Sequence, residues 1–89
     1  MNYWLGKVLK AYVLMNTDLA KEEEVVKALR EIEGVKEAYA LYGIYDVIAE
    51  VEAETMEKIR EIVLTRIRRL ESVRTTITLI TMGEGLPKK

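Results

Sequence analysis

The chain reads as an α+β fold of order βαββαβ. Two segments carry apolar residues at helical spacing, four carry β-branched or alternating apolar residues, and glycines fall at their junctions. With 89 residues, 49% of them hydrophobic, there is room for one core and not two. A core of this size buries a modest share of the chain's surface, which favours further burial between copies.

The first strand is expected over Val8 to Met15, where apolar residues occupy both alternating faces, as in a central strand. It ends at Asn16-Thr17-Asp18, and Asp18 is placed to cap a helix that begins near Leu19. Glu22, Glu23 and Glu24 put negative charge in that helix's first turn, where the macrodipole favours it. Val25, Ala28, Leu29 and Ile32 form its buried stripe, and Gly34 supplies a left-handed cap at its end. A second strand over Val35 to Tyr42 and a third over Ile44 to Ala53, punctuated by Gly43, read as a hairpin. From Thr55 to Leu70 the helical pattern returns, with Met56, Ile59, Val63, Ile67 and Leu70 on one side. The threonine-rich run from Val73 to Met82 is the fourth strand. Residues 1–7 are then an N-terminal extension, 8–82 the domain, and 83–89, with Gly83, Gly85 and Pro87, a tail.

Two right-handed β-α-β crossovers in one antiparallel sheet give the ferredoxin-like sandwich, with both helices on one face and strands one and three central. Strand three would turn Tyr45, Val47, Ala49 and Val51 toward the helices and Ile44, Asp46, Ile48 and Glu50 away from them. Tyr12, Leu14 and Ile80 are expected on the same helix-free side. That face is too apolar for a lone subunit, so it should pack on a second copy as in dimeric α/β barrels, burying about 800 Å² per partner. The competing reading is a scatter of ordinary surface apolars.

Composition excludes several kinds of chemistry. There is no cysteine for thiolate metal sites, disulfides or nucleophiles, and no histidine for acid–base or metal work, so no catalytic residue, metal or cofactor is expected. Fourteen basic and fifteen acidic residues, interspersed, make no nucleic-acid-binding field. The absence of Gln and the weight of Glu, Lys, Arg and Ile suit a protein of a hot environment. No run approaches the roughly 20 apolar residues of a membrane span and no signal-peptide pattern opens the chain, so a cytoplasmic location is expected.

The most informative segment is Tyr42-Gly43-Ile44-Tyr45-Asp46. Gly43 permits a tight turn with exposed N–H groups, Tyr42 and Tyr45 offer flat amphipathic walls, and Asp46 sets a carboxylate in an apolar strand. Together they suit a zwitterion, with donors for its carboxylate and an acceptor for its ammonium; equally, Asp46 can hydrogen-bond local backbone in a plain glycine hairpin. On the last strand Thr75, Thr76, Thr78 and Thr81 either offer hydroxyls to a ligand or serve strand propensity alone, and Arg74 could meet a carboxylate. Arg66, Arg68 and Arg69 either complement the helix dipole or touch an acidic partner. Tyr3 and Trp4 suit a hydrophobic tuck against the body or a neighbour. Phosphate-loop, dinucleotide and RNA-recognition signatures are missing, and pairs such as Glu50 with Glu52 read as surface charge.

Asn16-Thr17, the Glu-rich helix start, Ile32-Glu33-Gly34-Val35, Tyr42-Gly43-Ile44-Tyr45-Asp46-Val47 and Leu70-Glu71-Ser72-Val73 ahead of a Thr-rich strand form a pattern. It resembles the effector-binding domain of the Lrp/AsnC regulators, also called the regulation-of-amino-acid-metabolism domain, over Val8 to Met82. The Gly-x-aromatic-Asp turn of Gly43, Tyr45 and Asp46 is its most specific element. The resemblance implies a sheet-to-sheet dimer, assembly of dimers into octamers or similar rings, and an amino-acid effector bound between dimers. It would draw its ligand residues from the Gly43 to Asp46 turn, with Tyr45, and from the last strand around Thr76 and Thr78; the chemistry of the residues adds Tyr42 and Arg74. Only seven residues precede strand one, so a stand-alone form without its helix-turn-helix is expected. Such a form makes no direct DNA contact and could co-assemble with full-length regulators. Competing readings are a small enzyme of the dimeric α+β barrel type and a nucleic-acid-binding sheet with Tyr12 or Tyr42 as stacking platforms.

Overall fold

A computed structural model describes residues 8–83 and 85–88. Four strands, β1 (Leu9–Thr17), β2 (Val35–Ala40), β3 (Val47–Ala53) and β4 (Val73–Ile80), form one antiparallel sheet in the order β2-β3-β1-β4. Helices α1 (Glu22–Leu29) and α2 (Met56–Ile62), the latter continued by a π-helical stretch over Val63–Ile67, supply the buried side chains that meet the sheet. This is the ferredoxin-like βαββαβ sandwich expected, with β1 and β3 central. Tyr3 and Trp4, in the extension 1–7, lie outside the described residues.

The alternation of β1 and β3 builds the core. Ala11, Val13 and Met15 face Val51, Ala49 and Val47 across the ladder, and all six are fully buried. Val25, Leu29 and Ile32 close on them from the α1 side, and Ile62, Val63 and Ile67 from the α2 side, where Ile59 is also fully buried. Each fully buried aliphatic side chain of this size stabilises the fold by about 1.5–3 kcal/mol. Among the described residues no polar or charged side chain is buried.

Several boundaries differ from the sequence reading, each for a local reason. Asp18 does not cap α1: the helix starts at Glu22 with no side-chain cap, because Ala20 takes a left-handed φ of 64° and turns the chain before the helix begins. Gly34, at φ 99°, does not cap α1 either. It closes the turn into β2, where a Cβ would lie 2.7 Å from Ile62 Cδ1 and 3.4 Å from the Glu52 carbonyl. β2 stops at Ala40 and β3 starts only at Val47, so Ile44 and Tyr45 fall in the connecting loop. In α2 the side chain of Thr55 accepts the Lys58 N–H at 3.0 Å, a proper N-cap, but Met56 is exposed and not on the buried stripe. Beyond Ile62 the backbone widens, Arg68 N–H reaching Val63 O at 2.8 Å, and the helix ends at Ile67, short of Leu70.

On β4 the phase is the reverse of the one expected. Ile80 opposes Ala11 and therefore shares the helix face, whereas Ile77 and Leu79 oppose Leu14 and Tyr12 on the open face. A run of threonines and aliphatics carries no polar alternation to set its phase; the pairing with β1 decides it. The open face thus bears an apolar row across all four strands, Tyr39–Ile48–Leu14–Ile77, beside a second row, Glu37–Glu50–Tyr12–Leu79. Polar side chains on this face also contact one another within the chain. Lys10 lies 3.5 Å from Glu50 and the Tyr39 hydroxyl donates to Glu37. The Glu50 charge, aided by Tyr12, raises the Lys10 pKa, and the hydrogen bond to Glu37 followed by its charge raises that of Tyr39.

Candidate functional site

Three segments meet where β1 and β2 end and β3 and β4 begin: the loop 41–46, the turn 17–21 and the residues entering β4. Asp46 ties the first two together. Its N–H donates to Met15 O at 2.8 Å, its carbonyl accepts from Leu41 N–H at 2.8 Å, and its carboxylate Oδ2 accepts from Thr17 N–H at 2.8 Å. Asp18 ties in the third: its N–H donates to Ser72 O at 2.8 Å, and its Oδ1 accepts from an Arg74 guanidinium nitrogen at 2.9 Å. The hydrogen bond that Asp46 accepts therefore joins the loop before β3 to the end of β1, where sequence alone allows a local turn bond.

Around these anchors the loop tips are bare. Tyr42 is fully exposed, Ile44 is 87% and Leu19 95% exposed, and Tyr45 is half-buried. Gly43 has no positive φ, and a Cβ on it would meet nothing within 4 Å, so the fold of the single chain does not require a glycine there. Thr17 meets the Asp46 carboxylate through its N–H and opposes Val73 on β4, so Asp46 and Arg74 flank it. Two strand spacings put their backbones about 10 Å apart. A carboxylate and a guanidinium at one end of the sheet, among exposed apolar side chains, are the two kinds of group that the charged ends of a small zwitterion need.

Of the residues expected from sequence, Tyr42, Gly43, Tyr45, Asp46 and Arg74 gather at this end. Thr76 and Thr78 do not join them within one chain. They oppose Met15 and Val13, hence lie on the helix side, and run away along β4, a strand at the edge of the sheet. The turn Asp18-Leu19-Ala20 belongs to the same end and was missed, because Asp18 reads in sequence as a helix cap. At the opposite end a cleft of about 620 Å³ opens between α2 and the turn before β2, lined in part by Val8, Gly34, Ala53, Thr55 and Ile62. It contains none of the expected site residues. Among the described residues no group of three or more acidic side chains is placed to hold a metal ion, and none has the histidine or cysteine that nucleophile activation commonly uses.

The fold defines a ferredoxin-like α+β domain. The chain belongs to the Lrp/AsnC ligand binding domain family, whose match covers residues 10–87. That domain is part of transcription regulators and is not enzymatic, which removes the barrel-enzyme reading. The AsnC regulatory protein of Haemophilus influenzae is 32% identical over 60 residues, covering 67% of this chain and 40% of its own length. An uncharacterized HTH-type transcriptional regulator of Pyrococcus furiosus is 29% identical over 73 residues, covering 79% and 49%. The chain thus spans half or less of the length of the curated relatives it matches.

Among solved structures, a hypothetical protein of Pyrococcus horikoshii superposes with a TM-score of 0.79 at 37% identity, covering 85% of this chain and 92% of that one. Escherichia coli AsnC does so with a TM-score of 0.84 at 18% identity, covering 98% and 59%, a likeness of fold. A transcriptional regulator from Neisseria meningitidis in complex with L-Met gives 0.75 at 20% identity, covering 85% and 51%, again of fold. Among the described residues no helix is long and apolar enough to cross a membrane.

Proposed function

We propose that residues 8–82 form an amino-acid-sensing and assembly module of transcription regulation, with 1–7 an extension and 83–89 a tail. The observation that carries the sensing half is the placement of Asp46 and Arg74 on either side of Thr17, beside the exposed Leu19, Tyr42 and Ile44. The N. meningitidis regulator of the same fold, seen with L-Met, supports an amino acid as the ligand class. Gly43 fits this reading as a point of close approach, since nothing in its own chain fills the space beside it.

Assembly follows from the open face. Its apolar row would be covered by the same face of a second copy, and dimers would join at the loop end into octamers or similar rings, where Thr76 and Thr78 of one copy complete the site of another. A full-length regulator offers an equivalent face for co-assembly. DNA contact is not assigned to these residues, whose charges balance. A cytoplasmic protein of a heat-loving organism suits both the composition and the Pyrococcus relatives.

Calorimetric titration with the common L-amino acids, paired with solution mass before and after ligand, tests this. Binding of at least one amino acid by an oligomer is expected. A lone subunit that takes up none at millimolar ligand overturns the proposal.

A further inference from the structure

We propose that Asp18 is a built-in competitor for the ligand's carboxylate, occupying Arg74 until an amino acid displaces it; this rests on the sensing reading above. The Arg74 side chain is 69% exposed, and one of its nitrogens meets one oxygen of Asp18, whose side chain is 38% exposed. A guanidinium carries five donors in a planar fork and binds a carboxylate best through two parallel hydrogen bonds. The contact with Asp18 uses one. A free α-carboxylate arriving from solvent can take both arms of the fork, a stronger arrangement than the one it replaces.

Asp18 is held where it is by its backbone, independently of its carboxylate. Its N–H donates to Ser72 O, and its carbonyl accepts from Lys21 N–H at 3.1 Å and from the Thr17 hydroxyl at 3.1 Å. The side chain is thus free to let go of Arg74 without moving the turn. The next two residues are the 95% exposed Leu19 and the left-handed Ala20, so the residues beside the released carboxylate already project from the domain. An exposed single-contact ion pair is a weak interaction, weak enough for a ligand to break. The arrangement sets a threshold: it discounts affinity for every carboxylate by a constant factor and leaves a ligand without one unaffected.

Asp18→Asn removes the competitor's charge and keeps its shape. Calorimetry on the full chain with the common L-amino acids and their α-carboxamides compares wild type, Asp18→Asn and Arg74→Gln. For the amino acid that binds, Asp18→Asn is expected to tighten affinity about two- to fivefold, the scale of an exposed ion pair. Its carboxamide should bind at least about tenfold more weakly, the loss expected of a charge-assisted hydrogen bond, and be indifferent to Asp18→Asn. Arg74→Gln should erase the preference for acid over amide. Unchanged or weaker acid binding by Asp18→Asn overturns the competitor role, as does an acid preference that survives Arg74→Gln, and in both cases sensing itself stands. If wild type binds no amino acid, the sensing reading falls and takes this inference with it.

Discussion

Gly34 and Gly43 are the same residue type under opposite constraints. Gly34 sits at φ 99° with Ile62 Cδ1 where its Cβ would go, so Gly34→Ala should destabilise the fold by about 1–3 kcal/mol in urea denaturation. Gly43→Ala should leave stability within about 0.5 kcal/mol and, on the proposed reading, still weaken ligand binding. Asp46→Ala leaves Thr17 N–H without its partner and should cost about 1–3 kcal/mol. Amino-acid affinity should also fall by at least about tenfold; calorimetry that finds it unchanged moves the site elsewhere. Lys10 and Tyr39 make a pH statement. Both pKa values are raised by the folded state, so the stability they contribute is complete below their unfolded values and is lost as pH rises through the folded ones. The difference in thermal midpoint between wild type and a Lys10→Met, Tyr39→Phe variant should hold steady from pH 7 to 9. Above about pH 10 it should shrink.

At the scale of elements, order and type were legible because each carries its own period. The alternation of Ala11, Val13 and Met15 names a strand, and Ile59, Val63 and Ile67 name a helix face. What stayed hidden depends on partners distant in sequence. Asp18 looks like a cap because caps are local; its actual partner is Arg74, 56 residues on. Ile44 and Tyr45 have strand character and draw the expected start of β3 too far forward, while the bonds of Asp46 to Met15 and Thr17 decide where the loop ends. The same holds for the candidate site: the Tyr42 to Asp46 loop was visible, the turn at Leu19 was not, and Thr76 and Thr78 could not be given a face without their register on β1. Thr55 was legible as a helix start, and Thr55→Ala should cost about 1 kcal/mol, read as a lower denaturation midpoint at unchanged slope.

For the molecule as a whole, the open face is the dominant fact. Ile48 stands in the centre of the apolar row, neighboured by Tyr39 and Leu14. A charge there leaves the interior of one chain alone and would be stranded between two sheets. Ile48→Glu is therefore expected to reduce the mass measured by light scattering to that of one subunit, with the secondary structure retained. A wild-type chain that is already a lone subunit at high concentration would remove the paired-sheet part of the proposal.

The interior also has something to say about descent. Its described buried side chains are all aliphatic, methionine or alanine, with no buried polar group to be matched by a particular partner. Such an interior constrains volume and alternation and little else, so methyl groups can be traded between neighbouring positions while the backbone holds its course. A lineage built this way can rewrite most of its letters and remain superimposable, as the likeness to a bacterial regulator at less than one residue in five already illustrates.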